Sequence, residues 1–187
     1  MAAGFSSVLL VKEYVLFAFR DLAPSPDLIL DRLPTVTTVG LTVWGPALIT
    51  VLALGHLAMM PRYAPFTFKA VGVLYLLRAL FILLTPLGIR SDAYSHTALT
   101  LLQAITYGGN DFFFSGHVAF PFLFALIFWR HQAIRSIYLA LTVIIAVAVL
   151  LEHVHYSVDV FGAPFIVFGV WMGCRRVCKK DWERASA

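Results

Sequence analysis

Apolar residues in this chain are gathered into long runs rather than spaced along one face of each element. The runs cover roughly 5–19, 36–58, 66–88, 112–129, 134–151 and 157–174, and the segments between them carry Pro, Gly, Asp or Arg. A hydrocarbon core about 30 Å thick takes about 20 helical residues to cross. The pattern therefore predicts an all-α, polytopic membrane helix bundle of about six transmembrane helices. The first run is short and is interrupted by Lys12 and Glu13, so an interfacial helix is the alternative to a span there. Between the first two runs, Pro24, Pro26 and Pro34 hold the backbone extended around Asp27 and Asp31, which reads as an ordered connector. Pro121 and Pro164 fall inside the fourth and sixth runs and predict kinks whose freed carbonyls neighbouring helices or water must satisfy.

Composition narrows this to one class. With 60% apolar residues, 13% charged residues and a mean hydropathy of +0.86 over 187 residues, the chain cannot give a soluble domain its solvated surface. Its length leaves no room for a separate soluble domain, so residues 1–187 are expected to form a single membrane domain. The net charge of +4 does not call for nucleic acid, because its cations are sided. Arg62, Lys69, Arg130, Arg135, Arg175, Arg176, Lys179, Lys180 and Arg184 flank loops two and four and the C-terminal tail, whereas loops one, three and five hold only Arg20, Arg32 and Arg90. The positive-inside rule places the tail in the cytoplasm and loops three and five outside. Cys174 and Cys178 lie in that basic tail, where a reducing cytosol keeps them as thiols. A basic n-region is missing at the start, so the first apolar stretch is expected to stay in the mature protein.

Ionisable side chains in or beside membrane spans are costly and mark sites by default. His117, in Ser115-Gly116-His117 at the outer end of the fourth run, and His155 with Asp159, where the fifth run meets the sixth, come out on the same membrane face. The charge count did not use that agreement. On a helix, His155 and Asp159 share a face, so the carboxylate can hold one imidazole nitrogen and leave the other free to attack phosphorus. His117 suits the second role, protonating a departing oxygen. Gly116 lets the backbone approach a phosphoryl oxygen, and the Ser115 hydroxyl with helix-start amides stabilises its charge. A metal site built from His117, His153, His155 and Asp159 is disfavoured, because His153 and His155, two apart, diverge on a helix. Neither metal nor cofactor is expected.

These residues reach a known family. Pro24-Ser25-Pro26-Asp27 with Asp31 and Pro34, Leu74 through Arg78, Asp111 through His117, and His153 through Val160 resemble, in order, the sphingomyelin synthase branch of the type 2 phosphatidic acid phosphatase (PAP2) superfamily. The resemblance implies six spans, a non-cytoplasmic active site, a catalytic triad of His117, His155 and Asp159, and a phosphohistidine on His155. It also makes Arg78, Asp111, Ser115, Gly116, His153 and Tyr156 candidate substrate- or phosphate-binding residues. Its partners would be a phospholipid donor and a lipid alcohol acceptor such as ceramide or diacylglycerol. The chain departs from the branch at Gly109-Asn110-Asp111, where Cys-Gly-Asp is expected, at Val154, where an acid is expected, and at Glu152, where a small residue is expected.

The main alternative is hydrolysis of a lipid phosphate, or phospholipase-C-like hydrolysis, at the same site. The phosphatase branch clamps its phosphate with K-x6-R-P and S-R-x5-H. Neither is present, and Val149 holds the arginine position six residues before His155. Fewer cations suit a diester monoanion better than a monoester dianion. An ion or proton conduit, the non-catalytic alternative, should spread polar groups through the membrane depth, whereas these collect at one face. A high Arg-to-Lys ratio and frequent alanine lean toward a bacterial inner membrane. A homo-oligomer is compatible with the pattern.

Overall fold

The computed structural model describes residues 22–85, 87–88 and 113–186, with isolated positions at 10, 11, 14 and 18. The first apolar run and loop three, with Asp111, therefore lie outside the described residues. Six α-helices order the remainder: α1 (Val39–Met59), α2 (Ala64–Leu84), α3 (Gly116–Ile127), α4 (Gln132–Leu151), α5 (Ser157–Val177) and α6 (Lys179–Ser186). Among the described residues there is no strand.

α1, α2, α4 and α5 are long and apolar enough to cross a membrane, yet only 28–39% of each is buried within the protein. The rest presents side chains such as Val51, Leu80, Val147 and Phe165 outward. Lipid can take that surface and water cannot. Short 3-10 turns punctuate the chain at Leu30–Arg32 and at Pro61–Tyr63. Pro61 and Pro65 lie where the chain re-enters helix, the position at which a missing N–H costs least.

The fourth run behaves differently from the expected span over 112–129. Its helix has 12 residues, of which ten are buried, and at 1.5 Å per residue it reaches only about 18 Å. It packs chiefly on α4 and α5, and also on α1, as a central strut. Phe114, counted within the apolar run, lies before the helix and is fully buried there, and Phe128 is fully buried after it. Buried loop residues read as apolar too, which is why the run outlasts the helix.

The two ends of the bundle are built from different contacts. At one end, Tyr63 Oη lies 3.0 Å from His131 Nε2, and His56 Nδ1 lies 3.0 Å from Tyr138 Oη, joining the α1–α2 and α3–α4 turns. The tail folds back beneath this end as α6. Lys69 Nζ donates to Asp181 Oδ2 at 2.5 Å, Trp182 packs on Phe66 with ring centroids 4.9 Å apart, and Arg130 donates to the Ser186 carbonyl. At the other end, loop one crosses the α4–α5 junction. Val36 N donates to Leu151 O at 2.8 Å, and Thr38 Oγ1 donates to Ala148 O and to Glu152 Oε2.

Candidate active site

The candidate residues come from three helix ends that meet opposite the basic end. Ser115 precedes α3 in extended conformation and places Gly116 and His117 in its first turn. The α4–α5 turn runs through Glu152–His155, with His153 in the left-handed region at φ 56°. Such a backbone conformation is uncommon outside glycine, though less so for histidine than for most residues. It turns the chain inward, and His155 then lies immediately before the α5 N-cap, Tyr156.

This corrects the expected basis of the His155–Asp159 pair. The two do not share a helix face, because His155 precedes the helix. Asp159 is the third residue of α5, and its carboxylate folds back over the helix N-terminus, the position where negative charge is most favoured. One oxygen, Oδ2, accepts from Tyr156 N at 3.0 Å and lies 3.5 Å from His155 Nδ1. On the other edge of the ring, His155 Nε2 lies 3.4 Å from His117 Nδ1, with the imidazoles tilted 69° to each other. A backbone bond locks the two helix starts together, since Ser115 N donates to Asp159 O at 3.1 Å. His117, His155, Asp159 and Ser115 are all buried. The Ser115 hydroxyl has no hydrogen-bond partner among the described residues, and a buried donor is costly to leave unmade.

Arg78 reaches this cluster from α2. Its Nε donates to Phe114 O at 3.2 Å, and its guanidinium lies flat against Gly116, where a Cβ would come 3.2 Å from Cζ. Gly116 thus makes room for a cation as well as for any phosphoryl oxygen. Arg78 is 7% exposed, and a guanidinium buried at that depth beside the α3 N-terminus creates a site of positive potential.

The remaining candidates divide. Tyr156 Oη accepts from Ser25 N at 3.1 Å and donates to Gly88 O at 2.8 Å, so its hydroxyl ties loop one to the chain after α2. His153 Nδ1 lies 3.4 Å from Thr35 Oγ1, on the loop-one side; it sits in the α4–α5 turn and not on a helix, so the helical spacing expected of His153 and His155 does not apply. Among the described residues, no cluster of three His, Cys, Asp or Glu could hold a metal ion.

Sequence reasoning assigned no role to Asp27. Ser157 N donates to its Oδ2 at 2.7 Å, and the Ser157 hydroxyl sits 2.8 and 2.9 Å from its two oxygens. Ile29 N and Leu30 N donate to Oδ1 as well. Burial alone would raise the Asp27 carboxyl, but these bonds from Ser157, Leu30 and Ile29 hold it below the usual range. Loop one is thereby latched to the first residue of α5, two positions from His155. A carboxylate with a depressed native pKa stabilises the fold above the unfolded value, and that stabilisation is lost as pH falls through the native one. Asp27→Asn should cost about 1.5–3 kcal/mol near neutrality, the range for hydrogen bonds to charged groups. Thermal melts of wild type in detergent should weaken below about pH 4 by a component that Asp27→Asn lacks. Parallel pH profiles for the two proteins would remove the latch from this account.

Residues 108–175 match the family model described as PAP2 superfamily C-terminal. The matched segment contains Ser115, Gly116, His117, His155 and Asp159. It leaves out Arg78 and Asp27. No curated protein and no solved structure matches the chain. The match, with the helical membrane-type fold, points to the phosphatase and phosphotransferase chemistry of that superfamily.

Proposed function

We propose, from that superfamily match as premise, that the protein is a membrane phosphotransferase that moves a phosphorylated head group from a phospholipid to a lipid alcohol. The observation that carries the reading is the two-sided contact of His155, with the Asp159 carboxylate at Nδ1 and the His117 ring at Nε2. Asp159 holds the proton on Nδ1, so the Nε2 lone pair is the nucleophile. Nε2 attacks phosphorus, the bond from phosphorus to the diacylglycerol oxygen breaks, and His117 gives that oxygen a proton. In the second half-reaction His117 takes the acceptor's hydroxyl proton, the acceptor oxygen attacks phosphorus, and the P–N bond breaks. Arg78 and the α3 amides, with the Ser115 hydroxyl, offset charge on the phosphoryl oxygens.

Among the described residues Arg78 is the cation buried at the site, and a single cation fits a phosphodiester monoanion, which favours transfer over monoester hydrolysis. Water in place of the alcohol would give the hydrolase reading at the same residues. α3 carries no polar side chain after His117, which argues against a conduit through the bundle. The basic end, with α6, is assigned to the cytoplasm and the histidines to the opposite face, in a bacterial inner membrane.

The test is a product assay. Purified protein is incubated with labelled phospholipids in EDTA, with and without ceramide or diacylglycerol, and every product is identified. Transfer predicts free diacylglycerol and a new phosphorylated lipid that depends on the added acceptor, with no requirement for a divalent ion. Release of a free phosphorylated head group whatever the acceptor would establish hydrolysis instead. Repeating the reaction on sealed, oriented vesicles with an impermeant phosphodiester should give turnover only from the face opposite α6.

A further inference from the structure

At the far end of the bundle, where α5 turns into α6, Met172, Arg175, Arg176, Lys179, Trp182 and Glu183 line a cavity of about 420 Å³. Three of these residues are cations and one is an acid. The guanidinium of Arg175 stands over Trp171 with Cζ 4.4 Å from one ring centroid and 4.8 Å from that of Trp182. Two aromatic rings from different helices thus fix its plane without neutralising it. The only polar contact recorded for it among the described residues is a 4.0 Å approach of Nη1 to the Met172 sulfur, a weak acceptor. Its Nε is buried without a partner there. A guanidinium presents five donors in a fork that matches phosphate, and here that fork is held rigid with its donors unspent.

The neighbouring charges leave this site positive. Lys179 lies 3.7 Å from Glu183, but both are well exposed, and such a pair contributes little. Asp181 is engaged by Lys69 across the helix pair. Apolar surface borders the cations on the bilayer side, with Val177 exposed beside them and Trp171, Trp182 and Met172 behind. Aromatic and cationic groups at the end of a span, over an apolar wall, suit a ligand with a phosphate and acyl chains. Free phosphate would satisfy the fork but would leave the apolar wall unused.

We propose that the α5–α6 elbow binds the phosphate of an anionic glycerophospholipid from the leaflet at the basic end, separately from the histidine cluster at the opposite end. The lipid phosphate docks on Arg175, Arg176 and Lys179, and the acyl chains lie along α5. Basic pockets beside spans recognise anionic head groups in this way.

The experiment uses full-length protein, photoactivatable phosphatidylglycerol, and mapping of cross-links to peptides. Cross-links should fall within residues 172–183, and should be competed by unlabelled phosphatidylglycerol but neither by phosphatidylcholine nor by millimolar inorganic phosphate. Arg176→Gln and Lys179→Gln, both at exposed positions that pose no threat to folding, should each weaken labelling about fivefold, and the pair about 25-fold. Arg175→Lys keeps the charge but loses the fork and should weaken labelling further than either. Lys180→Gln and Arg184→Gln, whose side chains do not line the cavity, should leave it unchanged. Equal loss in those two controls would mean a diffuse basic surface, competition by inorganic phosphate would mean a free anion site, and equal labelling with phosphatidylcholine would mean no head-group recognition. Each result would overturn the proposal, and none bears on the chemistry at His155.

Discussion

His155→Ala is expected to eliminate turnover and phosphoenzyme together, whereas His117→Ala should slow the enzyme and remain rescuable. The difference follows from their partners. His155 has a carboxylate 3.5 Å from Nδ1 and a second imidazole 3.4 Å from Nε2. On the proposed reading it is the nucleophile, and its loss leaves no atom to take up the phosphoryl group. On the same reading His117 moves a proton, a contribution of about 10² to 10⁴ in rate. A donor with p-nitrophenol as leaving group needs no protonation to depart, so it should restore phosphoenzyme formation in His117→Ala to near the wild-type rate and do nothing for His155→Ala. Rapid-quench trapping of acid-labile phosphoprotein separates the two cases. The assignment fails if the activated donor rescues His155→Ala, or if that variant still accumulates phosphoenzyme.

The second large effect is expected at Asp159. Its Oδ2 serves both the Tyr156 amide and His155 Nδ1. Asp159→Asn keeps the side chain's shape but loses its charge, and one amide atom then faces both contacts. With NH₂ in that place the imidazole proton is forced onto Nε2, the atom that must attack; with the carbonyl there the helix start is kept but the imidazolium loses its counter-charge. The same change in serine-protease triads leaves geometry intact and lowers kcat about 10⁴-fold through the wrong tautomer, and a loss of about 10³ to 10⁴ is expected here. A purely structural carboxylate would behave otherwise: the variant would lose thermal stability and keep kcat per folded molecule. Melting curves measured beside single-turnover rates distinguish the two.

The membrane helices were legible because lipid demands apolar surface all round. The runs at 36–58, 134–151 and 157–174 overlie α1, α4 and α5 within a few residues. Where a helix is enclosed by protein instead, the signal blurs, and the run at 112–129 absorbed Phe114 and Phe128 from outside α3. The histidine and aspartate cluster was legible from cost, since ionisable groups are not placed at such depth without use. Its geometry was not, because a spacing of four is satisfied both by a helix face and by a carboxylate folding over a helix start. Asp27 was visible only as part of a loop-one pattern. Its partner Ser157 lies 130 residues away, and no local periodicity encodes a contact at that separation. α6 was read as a basic tail. Only Trp182 and Ala185, three apart on an otherwise polar segment, signalled that it packs beneath the bundle.

The shortness of α3 bears on how the protein is made. α4 and α5, on which it chiefly packs, follow it in the chain, so when α3 leaves the ribosome only part of the surface that will enclose it exists. Ten of its twelve residues are buried in the folded protein, largely against those two helices. His117 meets His155, and Ser115 meets the Asp159 carbonyl, at the last step of that sequence. A nascent chain halted before α5 carries His117 and His155 but not Asp159. On the proposed reading, the carboxylate that orients His155 does not exist until α5 has been made.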